Sequence, residues 1–75
     1  MMSGLQQTLE ITLVAVQPIQ IHESLYYELS YRVSGDAAVQ HMRINPEAFY
    51  ANPQPGDRVA VNVLMGNIMG ATKIG

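Results

Sequence analysis

Cysteine and tryptophan are both missing from this chain, phenylalanine occurs once, and only 13% of the residues are charged. Without cysteine there is no disulfide framework and no thiolate metal site. A chain of 75 residues is close to the lower size limit for an independent core, so packing alone, or packing shared with a second copy, must hold it. The charged share is about half the usual ~25%, while hydrophobic residues reach 48%. The surface must therefore be covered by neutral polar side chains, or else expose apolar ones suited to a partner. Four basic against six acidic residues give a net charge of −2, which provides no chain-wide basic footprint for nucleic acid or membrane. Long apolar runs are absent too. Nothing reaches membrane-spanning length, and residues 1–20 lack the basic start and apolar core of a secretory signal, so the expected location is cytoplasmic.

What is present is alternation. In Gly56–Gly75, Val59, Val61, Val63 and Met65 fall on one face at period 2, with Arg58, Ala60, Asn62 and Leu64 on the other. Gly66-Asn67 reads as a two-residue hairpin loop. Pairing outward from it sets Met65 opposite Ile68, Val63 opposite Gly70, Val61 opposite Thr72 and Val59 opposite Ile74.

Residues 1–7 read as a flexible start and 8–75 as one domain. From Thr8, the odd positions Leu9, Ile11, Leu13, Ala15, Ile19 and Ile21 form an apolar stripe broken by Gln17, and Val14 and Val16 add a second apolar face. This predicts a long strand that curls and becomes buried on both faces, kinked or at an edge near Pro18. His22-Glu23-Ser24 is a loop. A second strand then places Leu25, Tyr27, Leu29, Tyr31 and Val33 inward. A turn at Gly35-Asp36 leads into a third strand over about Ala37 to Ile44, with Leu29 opposite Met42, Tyr27 opposite Ile44, Glu28 opposite Arg43 and Ser30 opposite His41. Asn45-Pro46-Glu47 signals a helix start and Asn52-Pro53 its end, so a short helix is expected over about 46–51, with Phe49 plugging the core.

Three strands, a short helix and a closing hairpin predict a mainly β fold of order β-β-β-α-β-β. This order resembles the OB-fold, a five-stranded barrel with a curled first strand and a small helix before the fourth. A second resemblance lies in Met42-Arg43-Ile44-Asn45-Pro46 and Gly56-Asp57-Arg58-Val59-Ala60-Val61-Asn62-Val63, which look like the small OB-fold periplasmic copper chaperones. That family's metal site uses a histidine, two methionines and a tryptophan. Here Met42 matches one methionine, Gln40 stands where the other belongs, and there is no tryptophan.

Three kinds of site follow. The outer face and tip of the last hairpin offer Leu64, Met65, Ile68, Met69 and Ala71 as a patch for a protein partner or a second copy. The outer face of strands two and three offers Tyr26, Arg32, His41 and Arg43 to single-stranded nucleic acid, with Glu28 competing for Arg43. For a soft metal such as copper, His22, His41 and the five methionines are the candidate ligands. His41 and Met42 point to opposite faces of a strand, so the expected set has no metal and no cofactor. The six carboxylates are scattered and no nucleophile or phosphate-loop motif occurs, so the expected role is non-enzymatic binding or homo-oligomeric assembly.

Overall fold

The longest strand, β1 (Gln6–Ile21), is paired on both sides and carries the rest of the sheet. It is followed by β2 (Ser24–Val33), β3 (Gln40–Ile44), a single 3-10 turn (Pro46–Ala48), β4 (Arg58–Leu64) and β5 (Asn67–Lys73). The structure, a computed structural model, describes residues 6–75. The expected flexible start lies outside these residues as far as Leu5. Its last two positions, Gln6 and Gln7, already pair with Leu64 and Val63.

All five strands form one antiparallel sheet in the spatial order β3-β2-β1-β4-β5. The mainly β expectation holds, but the barrel does not close. β3 and β5 are the two edges, and no pairing joins them among the described residues. Residues 6–12 of β1 pair with β4, while residues 11–21 pair with β2, so the strand bends from one neighbour to the other.

A bulge sets how that bend works. Leu13 faces Tyr31 and Ala15 faces Ser30, which leaves Val14 as a surplus residue on β1. A surplus residue reverses the facing of everything after it. Leu9, Ile11 and Leu13 point inward by odd parity, but beyond the bulge Val16 packs on the core and Ala15 is exposed. The single odd-numbered stripe expected from the sequence is thus cut at Val14. Ile19 and Ile21 are half-buried on a ribbon that has β2 on one side only, and Pro18, whose ring offers no N–H, lies in that ribbon.

The β2–β3 pairing has the expected register: Leu29 with Met42, Tyr27 with Ile44, Glu28 with Arg43 and Ser30 with His41. The strand is shorter than expected, because residues 37–39 leave the ladder. There the Asp36 carboxylate accepts from the Ala38 N–H at 3.0 Å, giving the backbone a local partner instead. Leu25, expected inside, is exposed because it sits beyond the core on the β1–β2 ribbon.

The expected helix over 46–51 is only the 3-10 turn. Asn45 caps it by accepting from the Glu47 N–H at 2.9 Å. Phe49 then turns to extended backbone and drops into the core, which ends the helix before a second turn can form. Tyr50 stacks on it with ring centroids 4.8 Å apart.

The last hairpin also differs from its expected register. Its turn is Met65-Gly66, both at positive φ (52° and 84°), and not Gly66-Asn67. Two successive left-handed residues make the type I′ geometry that matches strand twist. Leu64 therefore meets Asn67 and Val63 meets Ile68. Met69 is then surplus, after which Asn62 meets Gly70, Val61 meets Ala71 and Val59 meets Lys73. Val59 and Val61 are buried as expected, whereas Met65 projects at the tip and Ile74 is exposed.

The buried set is Ile11, Leu13, Leu29, Ile44, Phe49, Val59 and Val61. Leu29→Ala should cost about 2–5 kcal/mol, the range for deleting a buried leucine side chain. Leu25→Ala, at an exposed position, should stay within about 0.5 kcal/mol. Urea denaturation of the two variants checks this; equal losses would contradict the inward parity of β2.

Candidate functional site

Antiparallel pairing builds rows of side chains across the outer face of β1, β2 and β3. One row is Ala15, Ser30 and His41; the next is Gln17, Glu28 and Arg43. They line a groove of about 340 Å³, to which Leu29 and Met42 also contribute. Tyr26 and Arg32 continue the outer column of β2, so the four residues expected to face nucleic acid do share one face.

Their polar groups are engaged with each other. Arg43 donates through two guanidinium N–H groups to one oxygen of Glu28, at 2.8 and 3.2 Å. Ser30 Oγ and His41 Nδ1 lie 3.1 Å apart. The Arg32 Nε–H reaches the Ala37 carbonyl at 3.3 Å. The remaining cations have acceptors as well: Arg58 pairs with Glu10, and Lys73 Nζ lies 3.9 Å from Asp57. A phosphate backbone would have to displace these partners to be neutralised. Exposed pairs of this kind are worth only about 0–1 kcal/mol each, so they compete modestly.

The hairpin patch is divided by the Met69 bulge. Leu64, Met65 and Met69 are exposed, Met65 at 71% and Met69 at 62%. Ile68 and Ala71, expected beside them, are turned toward the core: the Met65-Gly66 turn sets Ile68 opposite Val63, and the bulge sets Ala71 opposite Val61.

Beside the tip, the curled sheet encloses a second cavity of about 300 Å³. It is lined by Leu9, Ile11, Tyr31, Met42, Val61, Val63, Gly66 and Ile68. All five strands contribute, including both unpaired edges, Met42 from β3 and Ile68 from β5. Tyr31 brings the one polar side chain to this lining. Sequence reasoning did not reach the cavity, because it follows from an open seam and not from any local pattern.

Among the described residues, Asp57 is the one charged residue that is buried, at 9% exposure. Its carboxylate accepts from the Tyr50 hydroxyl at 2.7 Å and from the Gln54 N–H at 3.0 Å. The Tyr50 hydrogen bond, then the Gln54 N–H, and finally the nearby Lys73 charge hold this carboxyl below the ordinary carboxylate range, against the opposing effect of burial. Burial first, then the hydrogen bond and charge of Asp57, push the Tyr50 hydroxyl far above the ordinary phenol range. The backbone of the same turn extends the β1 ladder. Leu13 N–H donates to the Asp57 carbonyl at 2.9 Å, and Gly56 N–H donates to the Leu13 carbonyl at 2.8 Å. The Pro55-Gly56-Asp57 sequence signals a turn, but the tyrosine that satisfies the carboxylate lies seven residues earlier and carries no pattern of its own.

Met42 faces inward while His41, beside it, pairs with Ser30 on the outer face. Among the described residues, no three His, Cys, Asp or Glu side chains gather within metal-binding range, and no helix is long and apolar enough to cross a membrane. No family model matches this chain, and no curated protein or solved structure matches it.

Stability should depend on pH at both ends through the Tyr50–Asp57 pair. A depressed native carboxyl contributes fully above the unfolded value of about 3.9, and its contribution disappears as pH falls through the native value. A raised native phenol contributes fully below about pH 10 and loses its contribution as pH rises from there. In thermal melts across pH, Tyr50→Phe should flatten both limbs; an unchanged acid limb would show that Asp57 owes nothing to this hydroxyl.

Proposed function

We propose that this chain is a small, non-enzymatic interaction module that self-associates through its β4–β5 hairpin. The observation carrying this reading is the exposure of Leu64, Met65 and Met69 together on one hairpin, beside an unpaired edge strand and an apolar cavity. Single exposed apolar residues are ordinary, but three on one hairpin at a sheet edge form a surface that association would bury. Apart from its bulge at Met69, β5 is a weakly guarded edge: it contains no proline, and its one charge, Lys73, is at its far end.

The resemblance of the strand order to an OB-fold adds support to the idea of a binding module. The long shared first strand and the short plug before β4 fit that pattern, with the β3–β5 seam left open. A second reading, single-stranded nucleic-acid binding, rests on the shared face of Tyr26, Arg32, His41 and Arg43 and its groove. It ranks lower because Arg43 and Arg32 already have acceptors. Copper binding ranks below both, since His41 and Met42 diverge.

The readings separate in one experiment. Light scattering at rising salt should show an assembly that persists, because apolar burial drives it, whereas phosphate contacts weaken steeply with salt. The double substitution Leu64→Glu with Met69→Glu should reduce the particle to the mass of one chain. An oligomer unchanged by these two charges would refute the hairpin as its interface.

A further inference from the structure

We propose that two copies of this chain associate by exchanging Met65, each hairpin tip entering the seam cavity of the other copy. This rests on the self-association reading and specifies its contact. Met65 occupies the left-handed first position of a type I′ turn, where asparagine, aspartate or glycine is usual. The turn therefore carries an unbranched, adaptable apolar side chain, well suited to filling an irregular pocket, at a place that local geometry disfavours. It projects with 71% of its surface exposed.

The receptor lies next to it. Gly66, the following residue, is part of the cavity lining, together with Met42, Val63 and Ile68. Tip and cavity thus share one lip of the curled sheet. A two-fold axis placed beside that lip brings each tip to the other copy's cavity, giving a closed, self-complementary contact and not an open chain.

Charge favours a second copy as the occupant. Across a two-fold axis, a patch meets itself, so any charge on it faces its own duplicate. Residues 59–72 contain no charged residue, and all ten charged side chains of the chain lie elsewhere. Glu10 and Arg58 pair with each other at the end of β4 away from the tip, and Lys73 sits at the corresponding end of β5. The uncharged surface coincides with the hairpin and its side of the cavity.

Met65→Asn tests the exchange without disturbing the turn, since asparagine tolerates the left-handed conformation. Sedimentation equilibrium should show the dimer weakened about tenfold or more, with an undiminished melting temperature for the monomer. Because the chain has no cysteine, a crosslink provides the second measurement. Met65→Cys and Met42→Cys chains, mixed and oxidised with diamide, should give a disulfide-linked pair in far higher yield than either chain alone. A wild-type chain that stays monomeric up to millimolar concentration overturns both the exchange and the self-association reading. A dimer that survives Met65→Asn and yields no mixed crosslink overturns the exchange alone and leaves the hairpin interface standing.

Discussion

Val14 is one residue more than β2 can accommodate, and that surplus governs which side chains of β1 reach the interior. Before it, Ile11 is held between β2 and β4, Leu13 between β2 and the Gly56-Asp57 turn, and both are buried. After it, the inward role passes to Val16, and the β4 side of the strand is free. The bulge coincides with the point where Leu13 takes its last partner across from β1, the turn at Gly56-Asp57. The tyrosine and backbone N–H that satisfy Asp57 hold that turn in place. A strand that bends between two neighbours thus depends on a buried carboxylate far away in sequence. The bend curls the sheet, and the curl creates an inside.

The same curl leaves an opening. With β3 only five residues long and β5 displaced by its own bulge, the two edges do not meet, and the apolar interior is accessible between them. A small chain with no disulfide has few means of sealing such a gap. Burial against another molecule is the most direct, and it removes apolar surface at about 25 cal/mol per Å². The hairpin beside the opening carries uncovered methionines, whereas the opposite face has its cations already matched to acceptors. The proposed association would fall on the neutral side of the molecule.

Much of the sheet could be read from alternation where two signals agreed. In β2 and β3 the turn position and the apolar pattern demanded the same register, and Glu28 with Arg43 and Ser30 with His41 are paired as that register requires. Val59 and Val61 are likewise inside. Alternation gave no notice of the two bulges. A surplus residue at Val14 or Met69 is decided by the strand opposite, so the parity of Ala15, Val16 and Ala71 could not be settled locally. The loop at Gly66-Asn67 suits a hairpin turn by composition, but Met65-Gly66 places glycine at its second position and keeps Asn67 in the strand. The candidate patch was legible only in part, because the one-residue shift of the turn set Ile68 toward the core and the Met69 bulge did the same for Ala71. The seam cavity comes from long-range closure and the Tyr50–Asp57 contact from the path of an irregular loop, and neither had a sequence signature.

Amide hydrogen exchange at two protein concentrations tests the account most directly. The account predicts slow exchange for Ile11, Leu13 and Val59 at both concentrations, because they lie at the doubly paired centre of the sheet. Residues 64–69 should exchange fast in dilute solution and become protected when the protein is concentrated. Protection that is independent of concentration along the hairpin, or fast exchange at Leu13, would contradict it.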